Sequence, residues 1–152
     1  GSPGGCGGGR RRISVPGRRP RSADATKTRL QALATTLVKT FTFEAAHWLP
    51  TFPEGHKCRR LHGHSFRADI HVTGVLDPAV GYLMDYGTIK DLCEPVRLAL
   101  DHVCLNEVAG LANPTSEMIA VWIWGRLRPQ LPGLSNVVVH ETCTSRCEYR
   151  GE

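Results

Sequence analysis

The chain has 152 residues, enough for one compact domain with its own hydrophobic core. Its 41% apolar and 22% charged composition is that of an ordinary globular protein, and no apolar run approaches the roughly 18 residues that would point to a membrane span. The net charge of +5 is unevenly placed: residues 1–40 carry nine Lys and Arg against Asp24 alone, a net of +8, whereas residues 41–152 carry ten basic and thirteen acidic side chains, a net of −3, which gives nucleic acid no basic face to bind on the body.

Residues 1–36 read as a leader. Seven of the first seventeen residues are Gly, with Arg and Pro filling much of the rest, and such a stretch cannot bury enough surface to offset its ordering entropy. It is expected to be a disordered basic leader or a cloning remnant, and residues 37–152 a single domain. Phe41, Phe43 and Ala45 then alternate with Thr40, Thr42 and Glu44, the periodicity of a strand, and His47 continues the Phe41/Phe43 face by parity. A loop containing Pro50 and Gly55 follows. Phe66, Ala68, Ile70 and Val72 alternate with Arg67, Asp69 and His71 in a second strand, and His62 and His64 lead into it on the Phe66 face. Val75 to Pro78 is a turn.

Thr88 to Leu100 is a helix, with Ile89, Leu92, Cys93, Val96 and Leu100 on one face and a kink or break expected at Pro95. A second helix is expected to start at Asn113-Pro114, a capping residue followed by proline at the first helical position, with Ile119, Trp122, Ile123 and Leu127 as its apolar stripe. Asn136 to Glu141 and Cys147 to Arg150 are the last strands. The order strand, strand, helix, helix, strand, strand predicts an α+β fold: a mostly antiparallel sheet with two helices on one face. The six cysteines include no Cys-x-x-Cys pair. With no signal segment, they are expected to be reduced thiols in the cytoplasm.

Five of the seven histidines lie between positions 47 and 71. His62 and His64 are two apart on an extended chain and so share a face, and His47 ends the neighbouring strand on that same face. Adjacent strands run about 4.8 Å apart, so three imidazoles can converge on one ion. Three neutral imidazoles suit zinc, and a fourth coordination position left free is the pattern of a catalytic site. Cys58 has three readings: a fourth ligand, a thiolate base beside the metal, or an inert loop cysteine. Lys57, Arg59 and Arg60 flank it and would favour a thiolate and an anionic substrate. In Asp101-His102 a carboxylate adjoins an acid or base. Glu141 is either a strand-end charge or an acceptor for a planar donor edge. Thr115, Ser116 and Glu117 are ordinary residues for the first turn of a helix.

The ordered set Phe43-Glu44-Ala45-Ala46-His47, His56-Lys57-Cys58, Leu61-His62-Gly63-His64, Leu100-Asp101-His102, Leu105-Asn106, Asn113 to Glu117 and Glu141-Thr142 resembles the 6-pyruvoyltetrahydropterin synthase superfamily over about residues 38–152. Within it, Cys58-x-x-x-His62 and the Glu141-Thr142-Cys143-Thr144 and Tyr149-Arg150-Gly151-Glu152 stretches look most like the bacterial 6-carboxytetrahydropterin synthases of queuosine biosynthesis. Arg59 stands where glycine is frequent in that family, and Tyr86 where phenylalanine is. The resemblance implies the tunnelling fold, β-β-α-α-β-β, closing into a barrel as a homo-hexamer of two stacked trimers with sites between subunits. It implies zinc on His47, His62 and His64, Cys58 as catalytic thiolate, and Asp101 and His102 as a proton relay. Glu141 would grip the 2-amino and N3 edge of a pterin, with Thr115, Ser116 and Glu117 lining the pocket. The implied reaction converts 7,8-dihydroneopterin triphosphate to 6-carboxytetrahydropterin with release of acetaldehyde and triphosphate. A pyruvoyl-forming synthase or pterin aldolase on the same fold, or a non-catalytic zinc or pterin module, are the alternatives.

Overall fold

A computed structural model of the chain describes residues 34–152. Strand β1 spans Ala34–His47 and β2 spans His62–Val75. They pair antiparallel along their whole length, from Ala34 opposite Val75 to His47 opposite His62. The leader expected at residues 1–36 therefore lies outside the described residues up to position 33, and its last three residues are strand. Thr35, Thr36, Val38, Thr40 and Thr42 make that start β-prone.

Helix α1 spans Tyr86–Leu100 and α2 spans Ser116–Leu127, with β3 (Val103–Cys104) between them; β4 (Leu134–His140) and β5 (Arg146–Tyr149) complete the chain. The sheet order is β3-β1-β2-β4-β5. All pairings are antiparallel except that of β3, which runs parallel to β1. The sequence pattern did not show β3, because two residues are too few for any periodicity.

Two helix expectations change. Pro95 does not break α1: it lies on the exposed side of the helix, and Asp91, whose carbonyl loses its amide partner, is an exposed residue as well. The cap of α2 is Thr115, not Asn113; its side chain accepts from the Met118 amide at 3.3 Å. Asn113-Pro114 is the approach to the helix.

Both helices cover the face that carries Phe43, Ala45, Phe66, Ala68, Ile70, Val137 and Val139. Ile89, Cys93, Val96 and Leu100 from α1 and Ile119, Ala120, Ile123 and Leu127 from α2 close the core. Each fully buried large side chain contributes about 1.5–3 kcal/mol of transfer free energy. Phe43 and Phe66, opposite each other in register, stack at 5.0 Å with their planes 9° apart. The core thus runs along the β1–β2 pair to the end where the histidines stand.

Candidate active site

His47 and His62 face each other at the end of the β1–β2 ladder, and His64 lies opposite Ala45. Their ring centroids are 4.5, 5.2 and 5.0 Å apart. One face of Phe66's surroundings is built by these rings, with His47 and His64 edge-on to it at 5.5 and 5.4 Å, so the apolar core fixes the cluster from below. One ligand nitrogen from each of the three histidines lies within 4.8 Å of the other two. Tetrahedral ligation at about 2.0–2.1 Å asks for nitrogens about 3.3 Å apart, inside that limit.

Hydrogen bonds orient the rings for a metal. Nδ1 of His47 lies 2.9 Å from the Pro114 carbonyl oxygen, and Nδ1 of His62 lies 2.7 Å from that of Arg60. A carbonyl only accepts, so both Nδ1 atoms carry the proton and both Nε2 lone pairs are free. Nε2 of His47 and of His64 are buried without a hydrogen-bond partner, a costly arrangement unless something binds there. Burial pushes the pKa of His47 and of His64 below the ordinary imidazole value; the Pro114 bond opposes this for His47 and the Glu141 charge for His64. Both shifts favour the neutral ring that ligation requires. The three residues could hold a metal ion, and the donor set fits one.

A cleft of about 630 Å³ opens beside the histidines, lined by Lys57, Cys58, Arg60, Leu61, His62, His64, Glu141, Thr142 and Ser145. Cys58 sits in a single 3-10 turn, Lys57–Arg59. Its amide donates to His56 Nδ1 at 3.1 Å and its carbonyl accepts from the Leu49 amide at 2.9 Å. Glu141 lies just past the end of β4. One carboxylate oxygen accepts from the Ser116 hydroxyl at 2.6 Å, and the other stands 3.5 Å from His64 Nε2. The structure thus brings Cys58, His62, His64 and Glu141 into one cleft, with Ser116 behind Glu141.

The other expected residues stand elsewhere. Thr115 spends its hydroxyl on the helix cap, and Glu117 is exposed; neither lines the cleft. Asp101 ends α1 and accepts from the Glu44 amide at 2.9 Å, from Arg97 at 2.8 Å and from His102 Nδ1 at 3.0 Å. The Glu44 amide, then His102 and Arg97, hold its carboxyl below the usual range. His102 has a left-handed backbone, φ 58°, and an exposed ring at 77%. It borders a separate opening of about 490 Å³ with Glu44, Gly63 and His64. Within one chain, His102 and Cys58 line different openings, and His64 is the residue that borders both.

Three supporting groups escaped the sequence reading. The carbonyls of Pro114 and Arg60 act through backbone, which leaves no mark in residue type. Asn106 did leave one, in the Leu105-Asn106 pair: its side chain accepts from the Trp48 amide at 2.9 Å and donates to the Trp48 carbonyl at 2.8 Å, anchoring the chain just beyond His47. The five described cysteines are free thiols, and burial pushes Cys93 up to about 11, which makes it a core residue rather than a nucleophile.

Known proteins resemble this chain in sequence and in fold. A 6-carboxy-5,6,7,8-tetrahydropterin synthase of Synechocystis sp. is 47% identical over 119 residues, covering 74% of this chain and 91% of that protein. A dihydroneopterin monophosphate aldolase of Pyrococcus furiosus is 38% identical over 91 residues, covering 60% of this chain and 73% of that protein. The solved structure of Caenorhabditis elegans 6-pyruvoyl tetrahydropterin synthase superposes with a TM-score of 0.73 at 23% identity, over 80% of this chain and 99% of that one, a likeness of fold. The sequence profile of the 6-pyruvoyl tetrahydropterin synthases matches residues 36–152, the whole sheet-and-helix body that carries the histidine cluster, and the chain belongs to that family.

Proposed function

We propose that the protein is a zinc-dependent 6-carboxytetrahydropterin synthase, acting on 7,8-dihydroneopterin triphosphate in queuosine biosynthesis. The observation that carries this reading is the shared cleft, lined by Cys58, two of the three clustered histidines and Glu141. The relative of that name at 47% identity supports the choice within the family.

His47, His62 and His64 would hold the ion, one nitrogen from each lying within 4.8 Å of the other two. Zinc held there would supply Lewis acidity for charge that develops on the substrate's oxygens. Glu141 accepts the paired N–H donors of the pterin edge, a carboxylate facing two parallel donors, and so keeps the reacting carbons within reach of Cys58. The Cys58 thiolate takes the carbon-bound proton. Asp101 keeps the proton of His102 on Nδ1, which leaves Nε2 to exchange protons with the substrate. Because His102 borders a different opening from Cys58 in the single chain, the relay is completed by assembly, in line with the hexamer of stacked trimers that the resemblance implies. The free cysteines fit a reducing, cytoplasmic setting.

The test pairs zinc content with turnover of 7,8-dihydroneopterin triphosphate in the wild type and Cys58→Ala. Zinc near one per chain in both, with acetaldehyde and carboxypterin formed by the wild type alone, is the expected result. Loss of zinc from Cys58→Ala would make the thiol a ligand. A different pterin product from the wild type would move the protein to a sister chemistry of the family.

A further inference from the structure

Three basic residues flank Cys58, and the structure separates them. Arg59 turns its guanidinium away, donating to the Pro50 and Phe52 carbonyls at 3.3 and 2.8 Å. It fastens the loop. Lys57 and Arg60 line the cleft and are joined across the turn by the Arg60 amide, which donates to the Lys57 carbonyl at 3.2 Å.

The Arg60 guanidinium is also unusual. Arg67, Arg97, Arg146 and Arg150 are ion-paired, Arg126 lies over the Trp122 ring, and Arg128 donates to the Pro132 carbonyl. Among the described residues, Arg60 is the one arginine whose charged end meets no carboxylate, carbonyl or ring, and the Lys57 ammonium has no ion-pair partner either. The single carboxylate of the cleft lining, Glu141, is engaged by Ser116 and stands beside His64. The cleft lining therefore carries two free cations in and beside the Cys58 turn and one held carboxylate, Glu141. A ligand matching it has a donor-rich edge and an anionic tail.

We infer that Lys57 and Arg60 form a phosphate subsite that takes the phosphorylated tail of the substrate, while Arg59 has a purely structural task. The inference rests on the pterin reading above and adds to it the residues that hold the phosphate. The Arg60 carbonyl bonds His62, so the subsite is fixed to the same backbone that orients a metal ligand. The tail and the reacting carbons are then held at a set spacing.

The experiment measures KM for 7,8-dihydroneopterin triphosphate and the inhibition constant of inorganic tripolyphosphate on the full chain. It compares the wild type with Lys57→Ala, Arg60→Ala, Arg60→Gln and Arg59→Ala, with zinc content as the check on folding. Both constants should rise about tenfold for each change at Lys57 or Arg60, the size of one lost charge-assisted contact, and should hold for Arg59→Ala. Unchanged constants at Lys57 and Arg60, or an equal rise at Arg59, overturn the inference. If the wild type does not turn over the pterin, the enzyme reading fails on its own. Calorimetry with inorganic tripolyphosphate then judges the subsite: binding lost in Lys57→Ala and Arg60→Gln supports it, and equal binding in all variants overturns it.

Discussion

Ser116→Ala tests whether Glu141 must be held to do its work. The Ser116 hydroxyl donates to Glu141 at 2.6 Å, and the carboxylate's other oxygen has only His64, at 3.5 Å. A hydrogen bond to a charged acceptor is worth about 1.5–3 kcal/mol. The Glu141 side chain is 24% exposed, so water replaces part of this, leaving about 1 kcal/mol, or roughly fivefold in an equilibrium. Ser116 is the first residue of α2 after the Thr115 cap, where alanine is a good helix former, so the helix survives the change. Steady-state kinetics on 7,8-dihydroneopterin triphosphate should show KM raised about fivefold, kcat and zinc content preserved, and recovery in Ser116→Thr, which keeps the hydroxyl. A KM equal to wild type, or a loss confined to kcat, would refute the idea that Ser116 positions the pterin-gripping carboxylate.

Three further outcomes are expected. Asn106→Ala strips both backbone groups of Trp48 of their partner and should cost about 1–3 kcal/mol in thermal denaturation, with weaker zinc retention because His47 precedes Trp48. On the helix-free face, Asp69 accepts from Thr40 and His140 at 2.6 and 2.7 Å. Burial opposes its charge, but these bonds and Arg67 win and hold its pKa below the usual value. A depressed carboxyl stabilises the fold above its unfolded pKa of about 3.9 and loses that contribution as pH falls through the lower folded value. Urea denaturation should therefore show wild type more stable than Asp69→Asn at pH 7, with the gap closing below about pH 4. Finally, His47 and His64 have pKa values lowered by burial, so protons compete with a metal for these two rings below the ordinary imidazole value of about 6.5. Zinc release followed against pH should have its midpoint under that value, and removal of zinc with a chelator should lower Tm.

The histidine cluster was legible because strand parity is strict: His47, His62 and His64 continue the faces of Phe43 and Phe66, and the observed pairing of His47 with His62 keeps them there. The α2 boundary was misplaced because Asn113-Pro114 has the composition of a cap followed by a first-turn proline, whereas Thr115, two residues on, makes the capping bond. Pro95 illustrates the opposite limit: the rule against proline in helices is local, and the side of the helix it falls on is a tertiary fact. Ser116 was read as a residue of the pocket lining. Its hydroxyl instead acts on Glu141, 25 positions away, a partnership that neither local pattern nor spacing contains.

The connection between β1 and β2 runs from residue 48 to residue 61, far longer than the two- to five-residue turns that dictate how hairpin strands align. The alignment of two 14-residue strands must then be chosen by their side chains. A slip of one residue would turn His62 and His64 to the opposite face while His47 stayed, and the three imidazoles would no longer meet. A metal ion held by the three histidines would thus be open only to the correctly threaded hairpin, and by mass action would favour that threading over its neighbours. An ion proposed for the chemistry would also proofread the fold.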